Sequence, residues 1–216
     1  MKNFTYLVAF VFFIGVSNTT SAQEIVSTPD FDHKVEISAL VGYQLNGTLN
    51  FVQGDMKFDD AINYSFALSV NAGYGTYIET IYSYCATNVR LRTWYPGYEP
   101  NQPNFNVDIH YIQLGGVKEF MDGRVRPFGS LTLGASGFVP VDVSYESWWQ
   151  FAINLGLGVK INITENIGIR AQARLLMPMY LSGLGIFCGG GGCSSGFTTT
   201  SNILQGDFSG GLVIGF

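Results

Sequence analysis

From Ile203 to Phe216 the chain reads ILQGDFSGGLVIGF, and its large apolar residues fall at alternate positions. Leu204, Gly206, Phe208, Gly210, Leu212, Ile214 and Phe216 share one face, while Gln205, Asp207, Ser209 and Gly211 share the other. A period of two belongs to a strand, because successive side chains of an extended chain point to opposite faces. A strand with one apolar face needs a cover, and with nothing after Phe216 to supply one, the expected cover is lipid. Lipid also forbids an open sheet edge, since each unpaired N–H or C=O in hydrocarbon costs several kcal/mol. This strand is therefore expected to close a barrel against a partner near the N-terminus.

The rest of the chain repeats the pattern. Lys34 to Leu45 sets Val35, Ile37, Ala39, Val41, Tyr43 and Leu45 against Lys34, Glu36, Ser38, Leu40, Gly42 and Gln44. Tyr64 to Ala72 and Tyr77 to Ala86 follow, the first with Tyr64, Phe66, Leu68 and Val70 outward, the second with Ile78, Thr80, Tyr82 and Tyr84 outward. Val107 to Phe120 is ambiguous in its facing; Ile112, Leu114 and Phe120 are assigned to lipid, and Tyr111, Gln113 and Glu119 to the interior. Arg124 to Val139 puts Arg126, Phe128, Ser130 and Thr132 inside. Trp148 to Ile163 alternates most cleanly, and Ile167 to Leu181 turns Arg170, Gln172 and Arg174 inward. With the terminal segment, the count is eight strands. Long polar connections (Asn46–Asn63, Thr87–Asn106, Pro140–Ser147, Ser182–Asn202) alternate with short turns at Gly73–Thr76, Met121–Gly123 and Thr164–Asn166. Long external loops and short periplasmic turns are the asymmetry of outer-membrane barrels. The expected fold is an all-β, eight-stranded antiparallel up-and-down transmembrane barrel. A soluble barrel of the lipocalin kind would have an apolar interior and a polar exterior; here the charged residues oppose the large apolar ones.

Composition supports the same class. Only 12% of the 216 residues are charged, against 15% aromatic and 27 glycines, where an average soluble domain carries about 25% charged residues. Beyond the first two dozen residues there is no apolar run long enough for a membrane helix. A net charge of -5 offers no basic footprint for nucleic acid. Met1 to Ala22 reads as a signal peptide, with Lys2, an apolar Tyr6–Val16 and Thr20-Ser21-Ala22 before the cleavage point. Residues 23–33 are expected to form a short periplasmic tail and residues 34–216 the barrel, in the outer membrane of a Gram-negative bacterium.

The segments ALVGYQLNGTLNF, YIQLGGVKEF, RVRPFGSLTLGA, GIRAQARLLMPM and GGLVIGF resemble a family of small outer-membrane β-barrel proteins common in Bacteroidetes. That family is related in shape to OmpX and the OmpA membrane domain. The resemblance covers most of the mature chain and implies fold and location far more than function. The terminal Leu212, Ile214 and Phe216 also resemble the signal read by the barrel-assembly machinery, which is the partner expected during insertion. Outer-membrane lipid and lipopolysaccharide are the expected surroundings.

Few residues suggest chemistry. Glu36, Glu79 and Asp207 face inward with Lys160, Arg170 and Arg174; buried charges must be paired, so a packed, plugging network is expected in preference to an ion path. Cys188 and Cys193 bracket a glycine run and are a disulfide candidate in an exported loop, with Cys85 left over as a small packed residue. Trp94, Tyr95 and Tyr98 are candidates for binding a partner through a loop, with an ordinary loop core as the equal alternative. Trp148, Trp149, Tyr43, Tyr64, Tyr82 and Tyr84 are assigned to interfacial girdles. His110 and Asp108 lie on one strand face without a serine in a companion motif, so no catalytic residue is assigned; nor is a metal or a cofactor. The expected role is structural, with external loops for binding or for assembly with an envelope protein partner. The alternatives are a lipid-modifying enzyme and a narrow channel. No peptidoglycan-tethering domain is expected after Phe216.

Overall fold

The computed structural model describes residues 33–51, 54–93, 104–141, 146–189, 192–201 and 204–216. The expected signal peptide, nearly all of the tail, and Trp94, Tyr95 and Tyr98 lie outside the described residues. Within them the strands are β1 (Val35–Leu45), β2 (Thr48–Phe51), β3 (Gly54–Phe58), β4 (Ala61–Gly73), β5 (Thr76–Thr93), β6 (Asn104–Glu119), β7 (Val125–Pro140), β8 (Trp148–Asn162), β9 (Ile167–Gly189), β10 (Gly192–Ser201) and β11 (Gln205–Gly215). Eight of them, β1, β4, β5, β6, β7, β8, β9 and β11, pair antiparallel into a closed barrel. The terminal strand closes it as expected: β11 pairs with β1 in a register that sets Ile214 against Ile37 and Phe208 against Tyr43. No strand edge within the barrel is left for lipid to meet.

The face assignments hold for all eight barrel strands, including the ambiguous β6, with Trp148 the exception. Glu36, Ser65, Ser69, Glu79, Gln113, Glu119, Thr132, Asn154, Lys160, Arg170 and Asp207 are buried within it. Tyr64, Phe66, Leu114, Leu131, Leu157, Leu212 and Ile214 are exposed on its outer surface. Water cannot solvate a continuous apolar belt of this kind cheaply, whereas hydrocarbon can, so the wall is a transmembrane one.

The outer connections depart from expectation. Asn46–Asn63 is not a simple loop: β2 and β3 form a hairpin inside it, and β4 begins at Ala61. The span Thr87–Asn106 is strand at both ends, because β5 runs on to Thr93 and pairs with β6 up to Arg90 opposite Asn104. Thr87 and Val89 continue the buried face while Asn88, Arg90 and Arg92 continue the other. Those charged outward residues look like loop in the sequence, yet above the membrane a strand faces water and tolerates them. The extension also has a partner on its other edge, since β3 pairs with β5. Ser182–Asn202 is likewise largely an arm of β9 and β10.

Gly211 faces inward on β11, and a Cβ built there would lie 2.0 Å from the Ala39 carbonyl oxygen of β1. Main chain cannot yield as a flexible side chain can. Gly211→Ala should therefore strain the closing seam and destabilise the barrel by about 1–3 kcal/mol, read as a lower urea midpoint in detergent micelles. An unchanged midpoint would show that the seam relaxes freely.

Candidate functional site in the barrel interior

The interior is layered. Nearest the periplasmic turns, Glu36 on β1, Glu119 on β6, Arg126 on β7 and Lys160 on β8 form a closed square. Arg126 donates to Glu119 Oε2 at 2.9 Å and to Glu36 Oε1 at 3.3 Å. Lys160 Nζ donates to Glu119 Oε1 at 2.8 Å and also to Glu36 Oε2. Each carboxylate thus bridges both cations. Lys160 Nζ lies 4.4 Å from the centroid of the Tyr77 ring beneath it, and Arg126 also reaches Asn162 Oδ1 at 3.2 Å.

Above the square, Arg170 grips Glu79 through both guanidinium nitrogens at 2.5 and 3.0 Å, and Ser69 Oγ donates to the same carboxylate at 2.9 Å. The guanidinium lies over Phe128, 4.7 Å from its ring centroid. One step higher, Arg174 Nε donates to Asp207 Oδ2 at 2.5 Å, and Arg174 Nη2 donates to Ser65 and Ser83 at 2.9 and 3.0 Å. Asn63 Nδ2 supplies the other Asp207 oxygen at 2.5 Å. These three layers hold four carboxylates and four cations, every one of them at most 7% exposed. The buried charge sums to zero.

The six charged residues expected to meet inside are distributed over the layers as three groups, Glu36–Lys160, Glu79–Arg170 and Asp207–Arg174. Glu119 and Arg126 complete the first group, though sequence reasoning only assigned them an inward face. The signal was available: they flank the Met121–Gly123 turn, seven residues apart, where adjoining strands must bring inward side chains together.

A ring of amides follows. Gln44 donates to Gln205 at 3.2 Å, Tyr111 donates to Gln205 Oε1, and Gln113 accepts from Thr132 and Asn154 at 3.3 and 3.1 Å. Gln44 Oε1, Asn63 Oδ1, Gln113 Nε2, Asn154 Oδ1, Arg174 Nη1 and Gln205 Nε2 have no partner among the described residues. Buried polar atoms of this kind are ordinarily met by internal water.

Over the ring sits an apolar cap that the sequence reading missed. Phe58, Cys85, Val89, Phe105, Val107, Ile109, Phe138, Ala152 and Leu176 are buried together, with Met56, Leu91 and Trp148 packed against them. Trp148 corrects an expectation: it stacks on Phe138, rings 5.2 Å apart and 8° from parallel, so it belongs to the cap and not to a girdle. Adjacent residues of a strand face opposite ways, and only Trp149 is on the outside, 54% exposed. Cys85 is a packed member of the cap, as expected.

Other candidates stand apart. Cys188 and Cys193 are register partners in the β9–β10 arm, but their side chains lie outside the described residues. Leu212, Ile214 and Phe216 line the outer face of the closing strand. His110 and Asp108 face outward from β6, and His110 bonds to the Tyr82 hydroxyl through Nδ1 at 2.9 Å. Among the described residues no group of three or more His, Cys, Asp and Glu side chains is arranged to hold a metal ion.

No family model matches the sequence, and no curated protein matches it. Solved structures do. Neisserial surface protein A is similar over 85% of this chain and 97% of its own, at 12% identity and a TM-score of 0.55. The outer membrane protein OprG from Pseudomonas aeruginosa is similar over 85% of this chain and 97% of its own, at 10% identity and a TM-score of 0.52. The chain has the fold of the small outer-membrane β-barrels. At identities this low the shared feature is the architecture.

Proposed function

We propose that this chain is a plugged structural barrel of the outer membrane, whose outer β2–β3 and β9–β10 extensions bind or assemble with a protein partner of the envelope. The observation that carries the reading is the pair of closures in series, an electroneutral ionic floor and an apolar cap. An apolar constriction resists wetting, and a floor whose carboxylates each bridge two cations has no unbalanced charge to draw an ion inward. An eight-stranded barrel is in any case just wide enough for its own side chains. The surface left for a specific partner is then the outer extensions, including the segment of Trp94, Tyr95 and Tyr98. Catalysis is not part of this reading, since His110 bonds to a tyrosine and no serine nucleophile has been assigned to it. Insertion by the assembly machinery through Leu212, Ile214 and Phe216, removal of residues 1–22, and the Bacteroidetes affinity implied by the resembling segments belong to the same proposal.

Two measurements test it. In planar bilayers the purified protein should show no steady open conductance above the bare membrane; a stable unitary conductance would favour the channel instead. Gentle extraction from native membranes should bring down a stoichiometric protein, lost when the β2–β3 hairpin is replaced by a short turn. A barrel that always purifies alone would remove the assembly role.

The outer arm carries a further expectation. Register opposition of Cys188 and Cys193, in a compartment that favours oxidation, supports a cross-strand disulfide between them. Non-reducing peptide mapping should recover the two cysteines as one linked species, and alkylation before reduction should label Cys85 alone, after denaturation. Labelling of all three would exclude the bond.

A further inference from the structure

The outer faces of β5 and β6 carry Thr80, Lys118, His110 and Asp108 among apolar and aromatic side chains. From the periplasmic turn upward, the outer face of β6 presents Phe120, Lys118, Gly116, Leu114, Ile112, His110 and Asp108. Lys118 to His110 spans about 26 Å along a strand rising ~3.3 Å per residue. With a tilt of about 40°, this is about 20 Å of height, against an apolar band about 25 Å tall. His110 therefore stands at the outer edge of the band, where the lipid headgroups begin. An ionisable side chain on a lipid-facing wall is disfavoured relative to an apolar one and marks a site by default.

The surroundings of this imidazole are built. His110 lies directly opposite Tyr84 on β5 and Gly137 on β7. Its ring is 6.1 Å from that of Tyr82 and 5.3 Å from that of Tyr84. Asp108, the next outward residue along β6, places a carboxylate on the same face. On the other side a Cβ at Gly137 would meet the Trp149 ring at 2.7 Å, so Trp149 lies over that glycine and walls the site. Tyr82 sits 2.9 Å from Nδ1. When the neutral ring accepts there, its proton is on Nε2; when the ring is protonated, both nitrogens donate and the Tyr82 hydroxyl proton is released for another acceptor. The charged state thus offers an Nε2–H and a phenol O–H side by side.

We propose that His110 and Tyr82, flanked by Trp149, bind a phosphate group of an outer-leaflet lipid headgroup. The position at the edge of the band selects a lipid as the source, and paired donors, joined by a positive charge when the imidazole is protonated, select a phosphate. The proposal rests on the outer-membrane reading above. It is tested on the full-length protein in neutral detergent micelles, with lipid A bearing its phosphates and with the same lipid dephosphorylated. The wild type should bind the phosphorylated lipid about tenfold more tightly, the scale of a charge-assisted hydrogen-bonded contact. His110→Phe, which keeps an aromatic ring in the girdle, should abolish that preference, and His110→Gln, which keeps a donor without charge, should retain only part of it. Equal affinity of the wild type for both lipids, or an undiminished preference in His110→Phe, overturns the site. Insertion into phospholipid vesicles is measured alongside: a protein that fails to insert overturns the membrane reading itself, whereas one that inserts without the preference overturns the headgroup site alone.

Discussion

Replacing Lys160 by Met should lower the unfolding free energy by about 3–5 kcal/mol, because it strands a charge inside the wall. The wild-type square balances Glu36 and Glu119 against Arg126 and Lys160, and Lys160 is fully buried. Without it Arg126 must serve two carboxylates, and one buried negative charge is left uncompensated. Lys160 also loses its place over Tyr77. Met fills most of the volume, so the loss is electrostatic and not a cavity. Combining Lys160→Met with Glu36→Gln restores neutrality and should recover most of the loss, a non-additivity that neighbouring charges require. The check is a double-mutant cycle from urea unfolding in micelles. Additive single and double variants would mean that the square is not one electrostatic unit.

What the sequence made legible follows from what lipid demands. A wall between hydrocarbon and a packed interior forces strict alternation, and that alternation is visible in every barrel strand, down to the outward Leu155 and Leu157 and the inward Asn154 and Lys160 of β8. Above the membrane the demand disappears. Arg90 and Arg92 can then occupy the outer face of β5, and Lys57 stands opposite Arg90 on β3, so the same strand no longer reads as one. The hidden cap has the same origin. Val89, Phe105 and Phe138 face inward like the charged residues below them, and a reading that assigns large apolar side chains to lipid has no reason to expect a second apolar region inside. For the interior network the faces were legible but the partners were not. Which carboxylate meets which cation depends on the shear between strands 90 or 124 residues apart, and no local spacing records that.

Replacing Phe138 by Ala should separate the two closures. Phe138 is fully buried, tilted against Phe58 at 5.8 Å and stacked on Trp148 at 5.2 Å. Truncation removes both ring contacts and leaves a cavity at the centre of the cap, at a cost of about 3–5 kcal/mol. Water can then enter from the outer side, and Trp148 fluorescence should shift to the red. Because cap and floor act in series, the single variant should still show no steady conductance: an ion that passes the cap meets the neutral square beneath. Lys160→Met alone should also stay closed, since the cap remains apolar. Only the two together disturb both closures, and any conductance in planar bilayers should be confined to the combined variant if it still folds, which its heat-modifiable mobility on gels verifies. Conduction by Phe138→Ala alone would mean that the ionic square does not seal, and the cap would then be the barrel's only gate.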